Sequence, residues 1–297
     1  SRGLGDVYKR QEWILTSAWR NDVVNSDDYR AYVGGTSGLI YGYVNDGFYT
    51  VADFESFDSK SRTWKLKEGV VDSSPLSDTP RPGNAKFKKL TPVDPNSTNP
   101  YQLTEADRTV IGNTTPKFSG GFGLNATYKG FDMSMFFNFM YDFDVLNANK
   151  IMLTTWADNK ENNFLMDIAS DKRWRNFDDM GNEIRYSPEV LAEFNKNATM
   201  WNPTSIGRPI CMSYAVEDGS FLRLNSATLG YTLPSVWTKK VGLSKVRFYV
   251  SGNNLFTLTG YSGYDPEVNI ATGLTPNIDY NRYPRSRTYT FGCLLYT

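Results

Sequence analysis

The sequence predicts an all-β fold, specifically an antiparallel transmembrane β-barrel of which this chain holds a part. Three observations lead there. Two neighbouring segments of about ten residues alternate apolar with small or polar side chains, connections alternate between short and long, and aromatic residues make up 15% of the chain.

The first alternating segment is Lys117–Tyr128. Its even positions are Phe118, Gly120, Phe122, Leu124, Ala126 and Tyr128, and the odd positions from Ser119 to Thr127 are Ser, Gly, Gly, Asn and Thr. The second is Phe131–Asp142, with Phe131, Met133, Met135, Phe137, Phe139 and Tyr141 on one parity. Asp132, Ser134, Asn138 and Asp142 lie on the other, and Phe136 and Met140 are its exceptions. Successive strand side chains point to opposite faces, so this period of two predicts two strands with one apolar face each. Lys129-Gly130 between them has the form of a two-residue hairpin turn, with Gly available for positive φ.

Toward the C-terminus, Ala227, Leu229, Tyr231 and Leu233 predict another strand face. Val246, Phe248 and Val250 alternate with Arg247, Tyr249 and Ser251, and Phe256 and Leu258 continue the same face. Tyr289 and Phe291 begin a last strand, while Trp13, Leu15 and Trp19 suggest an early one. The links Lys129-Gly130 and Pro234–Lys245 are short; the stretches 143–215 and Gly260–Tyr283 are long. A long region with Pro75, Pro80, Pro82, Pro92, Pro95 and Pro100 precedes Lys117 and reads as a restricted loop. Helical turns are expected near Asn162–Arg173 and over Pro188–Asn197, where Ser187 can cap and Pro188 suits the first helical position. Long loops at one end and short turns at the other match outer-membrane barrels, whereas the alternation alone also suits a soluble β-sandwich. The strands are expected to form one open, curved sheet of about eight to ten.

Composition narrows the chemistry. Lys and Arg number 32 against 32 Asp and Glu, which gives no electrostatic reason to expect nucleic acid. No run of apolar residues is long enough for a transmembrane helix, an observation that does not bear on barrel strands. There is no histidine, which removes Ser-His and Cys-His pairs and His metal ligands. Cys211 and Cys293 have no metal or disulfide-framework spacing. No catalytic residue, metal site or cofactor is expected.

The ends look foreign. Residues 1–11, SRGLGDVYKRQ, and the tail CLLYT from Cys293 resemble translated sequencing-adapter peptides, and the alternative is a true basic arm and a true last strand. No secretory signal is visible, so a native N-terminus is expected to be missing.

Several stretches resemble SusC/RagA-type TonB-dependent receptors, in that family's order. They are YGYVNDGFYTVADF (Tyr41–Phe54), TVIGNTTPKFSGGFG (Thr109–Gly123), VEDGSFLRLNSATLGYTLP (Val216–Pro234), FYVSGNNLFTLTGYSGYDPEV (Phe248–Val268) and YPRSRTYTFG (Tyr283–Gly292). The resemblance implies the C-terminal part of a large outer-membrane barrel over residues 12–292, with 1–11 and 293–297 as artefacts. It also implies uptake of oligosaccharides or peptides, a SusD-like surface lipoprotein as partner, and energy from TonB through an N-terminal region absent here. Relatives often carry a calcium-loop-like stretch; here PVDPNSTNPYQLTEADR holds Asp94, Asn96, Glu105 and Asp107 without the calcium-loop spacing, so the sequence gives no ground to predict calcium.

Three local patterns invite chemistry. Gly260-Tyr261-Ser262-Gly263 approaches a nucleophile elbow, but Tyr264 replaces the second Gly and no His exists for a triad, so a turn is expected. Asp265 and Glu267 flank Pro266 and read as a turn rather than a glycosidase pair. Asp171-Lys172-Arg173-Trp174-Arg175 reads as a solvated, ion-paired loop. Trp156, Trp174 and Trp201 in the long 143–215 stretch are the candidate ligand contacts, because flat aromatic faces stack on sugar rings or peptide side chains. The competing role for them is the hydrophobic seed of each loop. Competing functions are a soluble all-β carbohydrate-binding or glycoside-processing domain, and a small complete porin.

Overall fold

The computed structural model describes residues 12–15, 28–76, 79–155, 164–169, 172–206, 209–268, 273–280 and 283–297. In chain order the strands are β1 (Glu12–Leu15), β2 (Tyr29–Tyr32), β3 (Leu39–Gly42), β4 (Asn45–Phe48), β5 (Phe54–Asp58), β6 (Thr63–Leu66), β7 (Ala85–Phe87) and β8 (Thr109–Asn113). They continue with β9 (Phe118–Tyr128), β10 (Phe131–Tyr141), β11 (Asp144–Asn147), β12 (Val216–Asp218), β13 (Phe221–Thr232), β14 (Lys245–Thr259), β15 (Ile278–Asp279) and β16 (Thr288–Tyr296). The helices are short: α1 (Ala148–Met152), α2 (Met166–Ala169), α3 (Pro188–Phe194) and α4 (Ser235–Thr238).

The long strands form one antiparallel sheet in the order β16-β14-β13-β10-β9. The two central to the sequence pattern, β9 and β10, are 11 residues each. That length, tilted, is what a barrel strand needs to cross the hydrocarbon core. Register confirms one continuous apolar face. Phe122 lies opposite Phe137, Leu124 opposite Met135 and Ala126 opposite Met133. The row continues through Met133–Leu229, Leu229–Val250 and Val250–Phe291. Phe122 and Phe137 stack at 4.9 Å. Aromatic rings gather at both ends of this face, with Phe118 on Tyr141 at 4.9 Å at one end and Phe131 on Tyr231 at 4.4 Å at the other. Such paired bands are the girdles of a barrel's lipid interfaces.

The opposite face is small and polar, and its larger side chains use glycine as a bed. A Cβ on Gly230 would stand 2.4 Å from the Arg247 guanidinium, and one on Gly292 would stand 2.4 Å from the Tyr249 ring. Arg247 reaches across β13 to Asp132 with two hydrogen bonds, Nε to Oδ1 at 3.0 Å and Nη2 to Oδ2 at 2.5 Å. Phe136, an exception in the sequence pattern, lies over Gly121, where a Cβ would meet its ring at 2.8 Å.

The Lys129-Gly130 turn takes positive φ at both residues, 45° and 88°. That mirror-image turn matches the strand twist in a two-residue link, and Lys129 bears the strain that Gly130 avoids. The other short link, from β13 to β14, holds α4 at the same end of the sheet. Both long connections leave from the opposite end. In place of the expected single sheet of eight to ten strands, the described residues form this five-stranded wall, a four-stranded sheet β1-β2-β3-β8, a three-stranded sheet β12-β11-β15 and the pairs β4-β7 and β5-β6. The tail from Cys293, set aside as foreign, continues β16: Cys293 lies opposite Phe248 and Leu295 opposite Val246. Residues 1–11 and Trp19 lie outside the described residues. Of the helix expected over 162–173, the described residues show the turn α2, and α3 has Pro188 at its start. Ser187 caps α3 through its backbone carbonyl, which accepts from the Leu191 amide at 2.8 Å; its side chain makes no cap bond.

Candidate ligand-binding site

The long connections fold into a body of their own. One hydrophobic core joins Tyr43, Leu76, Phe87 and Leu103 from before the wall to Ile168, Trp201 and Met212 from the long loop. A second joins Tyr29 and Ile40 to Leu146, Ile151, Cys211 and Ile278. A third gathers Trp174, Ile184 and Leu191 against Phe48 and Trp64.

Two of the three candidate tryptophans are built into these cores. Trp201 is 1% exposed, its ring edge-on to Tyr214 and its indole N–H donating to the Thr154 carbonyl at 3.4 Å. Trp174 is 2% exposed and lies against Gly83, where a Cβ would come within 2.2 Å of the indole. Gly83 also has φ +90°, so glycine is required there twice over. Neither ring offers a free face, which is not the placement a stacking platform needs. Trp156 lies outside the described residues.

Asp265 and Glu267 are likewise not poised as an acid–base pair. Both ion-pair with the buried Arg223 of β13, at 2.5 and 3.1 Å, and Arg285 adds a contact to Glu267 at 3.3 Å. The arginine pins the loop after β14 onto the wall. Ser262 is equally committed, its hydroxyl donating to Glu217 at 2.8 Å.

Asp107, one of the acidic residues of the region compared with calcium loops, is a buried hub. It accepts from the amides of Leu90, Thr91 and Thr104 and from the Thr91 and Thr104 hydroxyls at 2.7–3.0 Å. Burial works to raise its pKa, but the donors from Thr91, Thr104 and Leu90 outweigh it and hold the carboxyl well below the usual range. Asp94 accepts from the Asn96 amide in a tight turn. Among the described residues no group of acidic or thiol side chains is arranged to hold a metal ion.

A cleft of about 900 Å³ opens at the loop end of the wall, lined by Asn147, Asn149, Lys150, Met166, Ser262 and Asp279 among others. The pairing of β11 with β12 and β15 positions its floor. There Glu217 accepts from Asn147 at 3.1 Å and contacts Lys150 Nζ at 3.3 Å. Burial would raise the Glu217 pKa, yet Ser262 and Lys150 together keep it lowered. Asp279 accepts from the Tyr261 hydroxyl at 2.8 Å and from Asn149 at 3.2 Å. Its pKa is raised, by burial first and then by the carboxylates of Asp265 and Glu217. Tyr264 and Tyr283 on the rim are 83% and 91% exposed. A floor of fixed donors and acceptors below free aromatic faces suits a hydroxylated or amide-rich ligand. The sequence signal for it was the tyrosine density of GYSGY and DYNRYP, spread over loops that only the fold brings together.

No protein-family model matches the chain. It is 33% identical over 265 residues to TonB-dependent receptor P3 of Formosa agariphila, a match covering 87% of this chain and 22% of that protein. Over 86 residues it is 37% identical to TonB-dependent receptor SusC of Bacteroides thetaiotaomicron, covering 28% of this chain and 8% of SusC. Among solved structures, the RagAB peptide transporter superposes with a TM-score of 0.61 at 20% identity, covering 96% of this chain and 24% of the matched chain. The chain thus spans about a fifth to a quarter of the length of TonB-dependent receptor P3 and of the matched RagAB chain. Its alternating wall, with lipid-suited and polar faces, is the structural counterpart of those sequence matches. The chain belongs to the SusC/RagA-type TonB-dependent receptors of the outer membrane and forms part of their transmembrane β-barrel.

Proposed function

We propose that the chain is the C-terminal barrel portion of an uptake receptor that imports oligosaccharides or peptides. A SusD-like surface lipoprotein serves as its partner, and TonB supplies the energy. The observation that carries this reading is the continuous apolar face of the five-stranded wall, backed by a polar face and topped by a folded loop body. A soluble carbohydrate-binding domain would bury that apolar face against a second sheet. Here Phe122, Leu124, Phe248 and Phe291 are 45–80% exposed. In a barrel, short turns face the periplasm and long loops face outward, which puts the loop body and its cleft on the ligand side.

In this reading the cleft beneath Tyr264 and Tyr283 receives ligand without chemistry. Trp174 and Trp201 support it by holding the loop backbone, and Trp156 remains the candidate for direct stacking. The test is uptake by cells carrying the full-length receptor, with and without functional TonB and the adjacent lipoprotein gene. Import of a glycan or peptide that vanishes when either is deleted supports the proposal. Import unchanged by both deletions contradicts it.

A further inference from the structure

The outer surface of the loop body carries a concentration of arginine that the balanced composition does not foreshadow. Two adjoining recesses share Asn176, Arg185 and Thr204. Between them they are lined by Arg62, Arg81, Arg173, Arg175 and Arg185, against one carboxylate, Asp178. That carboxylate is already occupied: it accepts from the Met180 amide and from the amide and side chain of Asn182, all within 2.9 Å. Arg175 pairs with Asp179 at 2.8 Å, and Arg185 with Glu183. Arg173 donates to the Ile168 carbonyl at 2.9 Å. Arg62 has its guanidinium over the Tyr186 ring, 4.7 Å from the centroid, and Arg81 has no charge partner among the described residues. Among the described residues, these two cations of the first recess have no counter-charge.

Arg62 and Arg81 line the smaller recess, about 60 Å³, which opens beside the larger one of about 490 Å³, a volume within the span of small-ligand sites. Aromatic rings border the guanidinium groups: Trp64 and Tyr186 in the smaller recess, and Phe177, 46% exposed, in the larger. The Trp174 indole N–H is buried and lacks a hydrogen-bond partner among the described residues. Guanidinium forks match the paired oxygens of carboxylate and sulfate, and ring faces match the apolar face of a sugar. Phe164 borders this recess while Leu165 and Met166 border the larger cleft, so one short segment separates the two.

We propose that this arginine-lined recess is a subsite for the acidic groups of an anionic oligosaccharide, one bearing carboxylate or sulfate. The proposal rests on the uptake reading and specifies its substrate class. Cations in the smaller recess beside the exposed Phe177 ring and the unpartnered Trp174 N–H of the larger one favour an acidic sugar over an acidic peptide.

The test titrates the full-length receptor in detergent with four probes. These are a galacturonate tetrasaccharide, a sulfated galactan tetrasaccharide, a neutral galactan tetrasaccharide and hexaglutamate. At least one acidic sugar should bind about tenfold or more tightly than the neutral one, with the advantage shrinking as salt rises. Whichever arm binds identifies carboxylate or sulfate as the group read. Arg62→Ala with Arg81→Ala should remove most of that advantage, and Arg62→Glu with Arg81→Glu should abolish it, both leaving neutral-sugar affinity unchanged. Both residues are exposed, so the variants should assemble normally. Equal binding of acidic and neutral sugars, or an advantage that survives charge reversal, would overturn the proposal. So would hexaglutamate binding as tightly as the acidic sugars. TonB-dependent uptake of neutral glycans in the same cells, with no acidic preference, would discard this subsite and leave the uptake reading standing. Absence of any TonB-dependent uptake would sink both.

Discussion

Replacing Arg223 with Met should release the loop after β14 from the barrel wall. Arg223 is 2% exposed and is the buried counter-charge for Asp265 and Glu267, themselves 6% and 12% exposed at the side chain. Removing one member of a buried ion pair costs about 3–5 kcal/mol, because the remaining charge is left uncompensated. Here two like charges remain, and only the half-exposed Arg285 is left to offset Glu267. The chain has a local way to relieve that penalty, by undocking the turn. The Glu267 amide, bonded to Asp265 Oδ1 at 2.9 Å, and the Val268 amide, bonded to the Asp265 carbonyl at 3.1 Å, report it directly. At about 1.4 kcal/mol per tenfold, their hydrogen exchange in the full-length receptor should accelerate by a factor on the order of 10²–10³. Adding Asp265→Asn and Glu267→Gln to the Arg223→Met variant removes the stranded charges and should recover most of the protection. Acceleration of less than about tenfold in the single variant, or no recovery in the triple, would refute the reasoning.

Other substitutions probe the remaining supports. Gly83→Ala places a Cβ 2.2 Å from the Trp174 ring at a φ of +90°, so the loop body should lose about 2–4 kcal/mol, seen as a lower melting midpoint in tryptophan fluorescence. A midpoint within about one degree of the parent would contradict that packing. Leu124→Arg near the middle of β9 should cost about 2–4 kcal/mol in a bilayer-folding titration, whereas Asn125→Arg on the polar face should cost far less. For Asp107 the folded pKa is depressed, so its contribution to stability is complete above the unfolded carboxylate value near 3.9 and fades as pH falls through the folded one. Exchange of the Thr91 and Thr104 amides, corrected for intrinsic rate, should rise below about pH 4, and Asp107→Asn should show raised exchange already at neutral pH.

The long strands were legible because each faces two different surroundings, and that contrast is written into alternate residues such as Leu124 and Asn125. The hairpin was legible for a local reason, the positive φ that Gly130 accepts. The short strands were not. NDGF of β4, AKF of β7 and the dipeptide of β15 carry no period; they are strands because partners far along the chain pair with them. The tryptophans show the same boundary. Composition places a large ring in a loop, but whether its faces are free depends on Gly83 and Thr154, which only the fold supplies. Phe136 broke the alternation for a reason equally hidden, the glycine bed of the neighbouring strand. The cleft joins the long 143–215 stretch to the loop after β14, and the arginine recess joins it to segments before the wall, so no short window of sequence contains either.

The central claim is that the apolar face of the wall contacts lipid, and single-cysteine labelling tests it most directly. Phe122, Leu124, Ala126 and Tyr128 share one face of β9, and Ser119, Asn125 and Thr127 share the other. Each is replaced by Cys in turn, in full-length receptor assembled in membranes and lacking other reactive thiols. A bilayer-soluble maleimide should label the first set, and a water-soluble maleimide should label the second wherever the lumen admits it. Labelling of Ser119, Asn125 and Thr127 by the bilayer probe, with Phe122, Leu124, Ala126 and Tyr128 protected from it, would contradict the assignment of the barrel's outer face.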